Sequence, residues 1–196
     1  FIIQGFIGGN SKGYYTSLGR EGSDYTAAIV AYCMNANEIT VWKDVAGLYN
    51  ADPKYFDNVV KIDKISYQDI IELSYYGASV IHSKTIKPLQ NKNIPLYIKS
   101  FSNPQEEGTL ITSPENINNK INIPCYILKQ NQIIISVSPK DFSFINENKL
   151  SIIFSILSKN KIKVNLMQIS AISFSFVTNN IENIIDIIEK LKQKFN

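Results

Sequence analysis

Three side chains in the segment 19–24 could bind a small charged ligand. Arg20 offers a guanidinium fork that suits a carboxylate, and Asp24 offers a carboxylate that suits an ammonium group. Ser23 adds a hydroxyl at the start of a predicted helix, where backbone N–H groups and the helix dipole favour an anion. The segment therefore predicts a receptor for a zwitterionic amino acid. The alternative is an ordinary capped loop with a surface arginine.

A second candidate site follows the predicted strand 38–43. The strand leads into a long loop that carries Asp44, Tyr49 and Lys54. A carboxylate, an aromatic ring and a cation on one loop at a strand end suit stacking on a base and contact with phosphates. The loop therefore predicts a nucleotide site, and the alternative is a plain turn.

The composition predicts a globular protein that works in a reducing cytoplasm. The 196 residues are 44% hydrophobic, yet no apolar run reaches the roughly 20 residues that span a bilayer. Twenty Lys and Arg against 17 Asp and Glu form no basic cluster, which disfavours nucleic acid and membrane surfaces as partners. Two cysteines and the single His82 lack metal-ligand spacing, so we expect no zinc site and a structural histidine.

The order of predicted elements in the first part of the chain indicates an open α/β sheet. In chain order these are a buried strand within 1–7, a mobile glycine-rich loop, a helix over 25–35, a strand at 38–43, a helix at 66–76, a further element of unassigned type near 83–91, and a strand at 94–98. Ser23 or Asp24 is expected to cap the first helix. Ligands of such sheets bind beyond the carboxyl ends of the strands, where both candidate sites lie.

The segment 102–123 is rich in Asn, Pro, Glu, Gly and Thr, which is typical of a connection between two cores. We therefore place a boundary near Asn122, between domains 1–122 and 123–196. The second domain has predicted elements at 133–138, 144–159, 163–169, 172–178 and 181–195. Their order, βαββα over about 70 residues, is most of a ferredoxin-like α/β sandwich. Its loop 138–143 could bind a small anionic or amino-acid effector, although such loops are usually helix caps.

Six motifs in register resemble the aspartate kinases of the amino-acid kinase superfamily. They lie at 4–8, 18–24, 42–54, 76–82, 93–95 and, as the last motif, 103–104 with 108–111. The resemblance covers about 1–111, and the βαββα segment resembles the first regulatory ACT module that follows the catalytic domain in that family. It implies part of an amino-acid-kinase open α/β sheet followed by an incomplete α+β ferredoxin-like ACT domain.

The resemblance also implies roles for residues at matching positions. Asp24 belongs to the catalytic centre and orients the substrate through its amino group, while Arg20 binds a substrate carboxylate and Ser23 and Phe6 line the pocket. The implied ATP contacts are Ser17, Lys43, Asp44, Tyr49, Lys54 and Ser79. The implied effector contacts are Ser138, Asp141, Phe142 and Ser170. No residue is implied as a metal ligand.

Four positions depart from the family pattern, which usually has Gly at Glu21, Thr at Lys43, Arg at Lys54 and Lys at Ser79. Lys54 keeps the charge without the planar fork, and Ser79 loses the charge. The family's N-terminal strand and glycine loop are not in the printed chain, which we interpret as part of a longer protein. Because phosphoryl transfer needs several loops at once, we expect the isolated chain to be inactive.

The activity that the resemblance implies is transfer of the γ-phosphoryl of ATP, with Mg²⁺, to the β-carboxylate of L-aspartate, in lysine, threonine and methionine biosynthesis. A lysine or threonine effector would act through the ACT domain, and the chain would form a homo-oligomer through such domains. The alternative is a non-catalytic amino-acid-sensing or dimerisation module. A glutamate or uridylate kinase is disfavoured by the ACT-like tail and by the loop 42–54.

Overall fold

A computed structural model describes residues 2–78, 80–117, 123–141, 143–179 and 184–195 of the chain. They divide into two units, Phe1–Leu128 and Lys129–Asn196, each with its own hydrophobic core. The first unit therefore ends later than the predicted boundary near Asn122.

The first unit contains eight strands and three α-helices in its described part. They are β1 (Ile7–Gly9), β2 (Tyr15–Ser17), α1 (Gly22–Met34), β3 (Ile39–Lys43), β4 (Leu48–Tyr49), β5 (Lys61–Ile62), β6 (Lys64–Ser66), α2 (Tyr67–Tyr76), α3 (Ser83–Asn91), β7 (Leu96–Ser100) and β8 (Thr109–Thr112). Four strands form an open mixed sheet in the order β3-β7-β8-β6. Strand β3 runs parallel to β7, so their carboxyl ends meet at one edge.

The core of the first unit lies where the helices pack on this sheet. Apolar side chains alternate along the strands, and Leu96, Ile98 and Ile111 are fully buried. The ring of Tyr67 is buried with them, and its hydroxyl donates to the Ile94 carbonyl over 2.7 Å. Burial raises the pKa of Tyr67 to about 12.

Side-chain caps begin both α2, which was predicted as a helix, and α3, which was predicted only as an element of unassigned type. Helix α2 begins after Ser66, whose Oγ accepts from the Asp69 N–H, and ends at Gly77, which has a φ of 128°. Helix α3 begins after His82, whose Nδ1 accepts from the Lys84 N–H over 3.1 Å. The single histidine therefore has the structural role predicted for it.

The N-terminal segment differs from the prediction of a buried strand within 1–7 and a mobile loop after it. Ile2 and Ile3 are exposed, and the strand is β1, which pairs antiparallel with β2. Asn10 closes the hairpin because its Oδ1 accepts from the N–H groups of Lys12 and Tyr14, both over 3.0 Å. The glycine-rich loop is thus an ordered turn, held by an Asn side chain that mimics a backbone acceptor.

The segment 102–123 is not only a connection, because it contains β8 inside the sheet. Thr109 is fully buried, and its Oγ1 accepts from the Leu48 N–H (2.8 Å) and donates to the Ile62 carbonyl (2.6 Å). Gly108 precedes it with a φ of +73°, and a Cβ there would lie 2.0 Å from the Ile98 carbonyl oxygen. The prediction of a simple connection was wrong because β8 has only four residues between Pro- and Gly-rich segments. Its strand character comes from pairing with β6 and β7, which the local sequence does not indicate.

The chain after Ile123 stays attached to the first unit through an Asn50 clasp, formed by Asn50, Phe56, Pro124 and Tyr126. Asn50 Nδ2 donates to the Pro124 carbonyl (3.2 Å), and the Tyr126 N–H donates to the Asn50 carbonyl (2.7 Å). The rings of Phe56 and Tyr126 stack with centroids 6.2 Å apart. These contacts place the division between units at Leu128.

The second unit has the predicted order βαββα in its described part. Its elements are β9 (Ile133–Val137), α4 (Glu147–Lys159), β10 (Leu166–Ile169), β11 (Phe174–Thr178) and α5 (Ile184–Lys194). The antiparallel sheet has the order β10-β11-β9, and Phe174 and Phe176 bury their rings against the helices. Asn146 starts α4 later than predicted because its Oδ1 accepts from the Lys149 N–H.

Candidate functional site

An ion pair joins the first turn of α1 to the carboxyl end of β3. Lys43 Nζ donates to Asp24 Oδ2 over 2.6 Å, and the side chains are only 22% and 13% exposed. The sequence assigned these two residues to different ligands, Asp24 to a substrate ammonium and Lys43 to ATP. In the structure, the Asp24 carboxylate already binds an ammonium group.

The turn before α1 has a different cap from the one predicted. Glu21 is the N-cap in the left-handed conformation, with a φ of 55° and no side-chain cap, so Ser23 and Asp24 lie inside the helix. One carboxylate oxygen of Glu21, Oε2, is buried without a hydrogen-bond partner among the described residues. Ser23 and Asp24 are common capping types, but the resemblance implies a glycine at position 21, and glycine is the residue that adopts a left-handed conformation without strain.

We expect Glu21→Gly to stabilise the first unit by about 0.5–1 kcal/mol, because the left-handed conformation strains a residue with a Cβ by more than glycine loses in entropy. The change also removes the unpartnered buried oxygen. Urea unfolding followed through the fluorescence of Trp42 measures the effect.

The matched control is Glu72→Gly, which places the same glycine in the middle of α2. This control should cost about 1 kcal/mol, since glycine is a poor helix former. A loss of stability in Glu21→Gly would contradict a strained backbone at Glu21.

Phe6 and Ser23 both lie near the amino end of α1, and their role as pocket-lining residues stays a prediction. The Phe6 N–H donates to Thr26 Oγ1 (3.1 Å), and a Cβ on Gly22 would lie 2.9 Å from the Phe6 ring. Ser23 is exposed, and Gly5 packs against its backbone. Thr26 was not predicted, and its hydroxyl fixes the position of Phe6.

Arg20 is free to bind an anion. Its side chain is 73% exposed, and its Nε lies 3.9 Å from Glu21 Oε1, a contact worth at most about 1 kcal/mol at the surface. Arg20 is also the only arginine among the 20 basic residues of the chain. Every other basic residue is a lysine, so position 20 is the one place where the chain keeps the planar guanidinium that binds a carboxylate through two hydrogen bonds.

The residues predicted to contact ATP lie in several strands and in the loops between them. Ser17 is exposed at the end of β2, Asp44 is exposed after β3, and Tyr49 is half-buried in β4. Lys54 is exposed, and its N–H donates to Asp52 Oδ1 (2.9 Å). Within the described ranges, no ion pair or hydrogen bond engages the side chains of Asp44, Tyr49 or Lys54. Ser79 lies outside the described residues, so these ATP contacts stay predictions.

The buried hydroxyl of Thr109 positions the loop that carries Tyr49. It bonds to the backbone of β4 at Leu48 and to that of β5 at Ile62, so both strands of the hairpin are attached to the sheet. The sequence did not indicate this residue, because threonine in a polar segment is usually at the surface.

The predicted effector residues of the second unit belong to two segments. Asp141 Oδ1 accepts from Ser143 Oγ (2.6 Å) and from the Ser143 N–H (3.1 Å), and these hydrogen bonds lower the pKa of Asp141. The Ile145 N–H donates to the Ala171 carbonyl (2.8 Å), next to Ser170. Ser138 is half-buried, and Phe142 lies outside the described residues.

The described part of the chain has neither a metal-binding cluster nor a membrane-spanning helix. No three His, Cys, Asp or Glu side chains among the described residues are grouped in a way that could hold a metal ion. None of the helices in the described ranges is long and apolar enough to cross a membrane.

The comparison with known proteins settles the family. Residues 1–100, just over half of the chain, match the family described as "Amino acid kinase family". The chain belongs to the amino acid kinase family. A curated relative in this family, lysine-sensitive aspartokinase 3 of Escherichia coli K12, is 34% identical over 175 residues, which are 88% of this chain and 38% of the relative. A bifunctional aspartokinase/homoserine dehydrogenase of Haemophilus influenzae is 44% identical over 110 residues, which are 56% of this chain and 14% of that protein.

Solved structures of amino acid kinases have the same mixed α/β architecture with open sheets. Aspartate kinase of Clostridium acetobutylicum superposes with a TM-score of 0.84 and 31% identity, over 98% of this chain and 45% of that one. Aspartokinase III of E. coli, in complex with lysine and aspartate, gives a TM-score of 0.74 and 30% identity, over 98% of this chain and 44% of that one. The chain therefore spans less than half the length of these relatives.

Proposed function

We propose that the protein containing this chain is an aspartate kinase that transfers the γ-phosphoryl of ATP to L-aspartate. The observation that carries the proposal is the largely buried Asp24 carboxylate at the start of α1, which pairs with an ammonium group, that of Lys43. Phe6, Ser23 and the single arginine of the chain belong to the same region. The similarity of nearly the whole chain to two aspartokinase structures supports the choice of substrate.

The charges of this region suit aspartate in one orientation. Arg20 binds the α-carboxylate and Asp24 binds the α-ammonium, which leaves the β-carboxylate free to react. An oxygen of the β-carboxylate attacks the γ-phosphorus, and the bond from that phosphorus to the ADP oxygen breaks. The attacking carboxylate carries no proton at neutral pH, so Asp24 orients the substrate and does not act as a general base.

The nucleotide is proposed to bind along the loop that follows β3. Tyr49 offers a ring to the base, Lys54 and Lys43 offer cations to the phosphates, and Ser17 and Ser79 complete the set. Mg²⁺ is proposed to accompany ATP through the phosphate oxygens, which are the hard ligands that this ion prefers. We also propose a cytoplasmic location, since Cys33 and Cys125 are free thiols.

The proposal is tested in the full-length protein with Arg20→Ala and Arg20→Lys, by measuring the Kd of aspartate and of ATP. Arg20→Ala should weaken aspartate by at least about 30-fold, because a charged bidentate contact of about 2 kcal/mol is lost. Arg20→Lys should lose less, since it keeps the charge without the fork. ATP binding should stay within about twofold, and equal losses for both substrates would contradict the assignment.

We further propose an amino-acid effector, lysine or threonine, in the second unit. The loop 138–143 and the turn that contains Ser170 would bind it, through Ser138, Asp141, Phe142 and Ser170. The hydrogen bond from Ile145 to Ala171 supports this choice, because it ties the segment after the loop to the turn.

We expect the second unit to self-associate through β10. Leu166, Met167 and Ile169 of this edge strand are 53–59% exposed, and the strand carries no charge or proline that would block pairing. Sedimentation should show a dimer at micromolar concentration, and Met167→Lys should shift it toward the monomer by at least about tenfold in Kd.

The control for this prediction is Ser158→Lys, which adds the same charge on the exposed side of α4. It should leave the dimer intact. A monomer in the unmodified protein at high concentration, or equal dissociation by both lysines, would contradict pairing at β10.

A further inference from the structure

Lys43 stands in the place that the proposed function gives to the substrate. Its ammonium contacts Asp24 Oδ2 at 2.6 Å, and both side chains are largely shielded from water. We propose that Lys43 is an internal competitor for Asp24, displaced by the ammonium of the amino-acid substrate and then free to bind nucleotide phosphates. This inference rests on the proposed function and adds a specificity-determining residue to it.

The charges of the site favour this exchange. Asp24 offers one carboxylate, and Lys43 and an aspartate substrate offer two ammonium groups. If both ammonium groups stayed, one positive charge would be left unpaired and partly desolvated next to another, which costs several kcal/mol at an intermediate dielectric constant. We therefore expect a bound substrate to displace the Lys43 ammonium from Asp24.

The backbone around Lys43 allows the side chain to move alone. Lys43 is the last residue of β3, in register with Ser100 of β7, and its carbonyl accepts from the Phe101 N–H over 2.9 Å. The ladder therefore holds its Cα in place. The four-carbon side chain can swing to the carboxyl edge of the sheet, where the proposed nucleotide loop begins.

The exchange has two consequences for binding. The free energy of binding the substrate ammonium to Asp24 is partly offset by the cost of breaking the Lys43–Asp24 ion pair. Aspartate therefore binds more weakly than it would to a site without Lys43. The released ammonium is available to phosphates only when aspartate is bound. Aspartate and ATP should therefore strengthen each other's binding, and by linkage the two effects are equal.

The main test measures the Kd of L-aspartate and of succinate in the full-length protein with Lys43→Met. Succinate is the matched ligand without an ammonium group. The variant should bind aspartate about tenfold more tightly, whereas it should bind succinate no more tightly than the unmodified protein does. It should also lose the mutual strengthening of aspartate and ATP. Unchanged or weaker aspartate binding in Lys43→Met would overturn the proposal, with Lys64→Met as the control for loss of an exposed lysine.

A second measurement follows Lys43 directly, through its rate of acetylation read by mass spectrometry. Asp24→Asn should raise the rate without any ligand, because it frees the ammonium, and L-aspartate should raise the rate in the unmodified protein. Binding of aspartate with no change in this rate would overturn the exchange and leave the proposed function intact. Absence of aspartate binding in the unmodified protein and in Lys43→Met would overturn both.

Discussion

Gly108→Ala should destabilise the first unit by at least about 3 kcal/mol, enough to unfold a marginally stable protein. The added Cβ would lie 2.0 Å from the carbonyl oxygen of Ile98 and 3.0 Å from its carbonyl carbon. Both are backbone atoms of a central strand, so neither can move without breaking the sheet. The φ of +73° adds strain of its own.

The control for Gly108 is Gly13→Ala in the hairpin of β1 and β2. Gly13 has a φ of +80°, but a Cβ there meets nothing within 4 Å. This variant should lose only the conformational part, about 1 kcal/mol. Trp42, the only tryptophan of the chain, lies in the first unit and reports its unfolding in urea. Equal losses in the two variants would contradict the close approach of Gly108 to β7.

Asp24→Ala should reduce kcat/KM for aspartate by at least about 100-fold, which corresponds to about 2.7 kcal/mol of lost transition-state binding. The variant removes the proposed receptor for the substrate ammonium and leaves the Lys43 ammonium unpaired in a largely shielded position. Asp24→Asn should lose nearly as much, because the amide keeps the shape but carries no charge. The measurement is aspartate-dependent formation of ADP by the full-length protein.

Asp63→Ala is the control, since it removes an exposed carboxylate that precedes β6. Its kcat/KM should stay within about twofold of the unmodified value. If Asp24→Ala kept more than a tenth of the activity, Asp24 would not be the residue that orients the substrate.

Features that depend on a few neighbouring residues were predictable from the sequence. Helix α2 was predicted nearly to the residue, because Ser66 starts it, Gly77 ends it, and both signals lie next to the helix. The order βαββα of the second unit was predicted for the same reason, since the spacing of hydrophobic residues within each segment is that of a strand or of a helix. An observed helix start differs from the predicted one where a capping residue lies within the apolar segment, as Asn146 does before α4.

Features that depend on distant partners were not predictable. Strand β8 has four residues, and only its pairing with β7 and β6 distinguishes it from the polar loop around it. The ion pair between Asp24 and Lys43 joins residues 19 positions apart. Asp24 was identified as a binding residue from its type and Lys43 from the family resemblance, but no local pattern indicates that the two bind one another. The buried hydroxyl of Thr109 was missed for the same reason.

The Asn50 clasp determines where the polypeptide can be cut. A protein truncated at residue 122, where the composition changes, would lose the carbonyl of Pro124 and the ring of Tyr126, and would leave Asn50 Nδ2 and Phe56 without these partners. Proteases should likewise find few sites between 123 and 128 while the clasp is closed, because limited digestion needs a locally unfolded segment. An expression plasmid for the isolated first unit should therefore place its stop codon after Leu128.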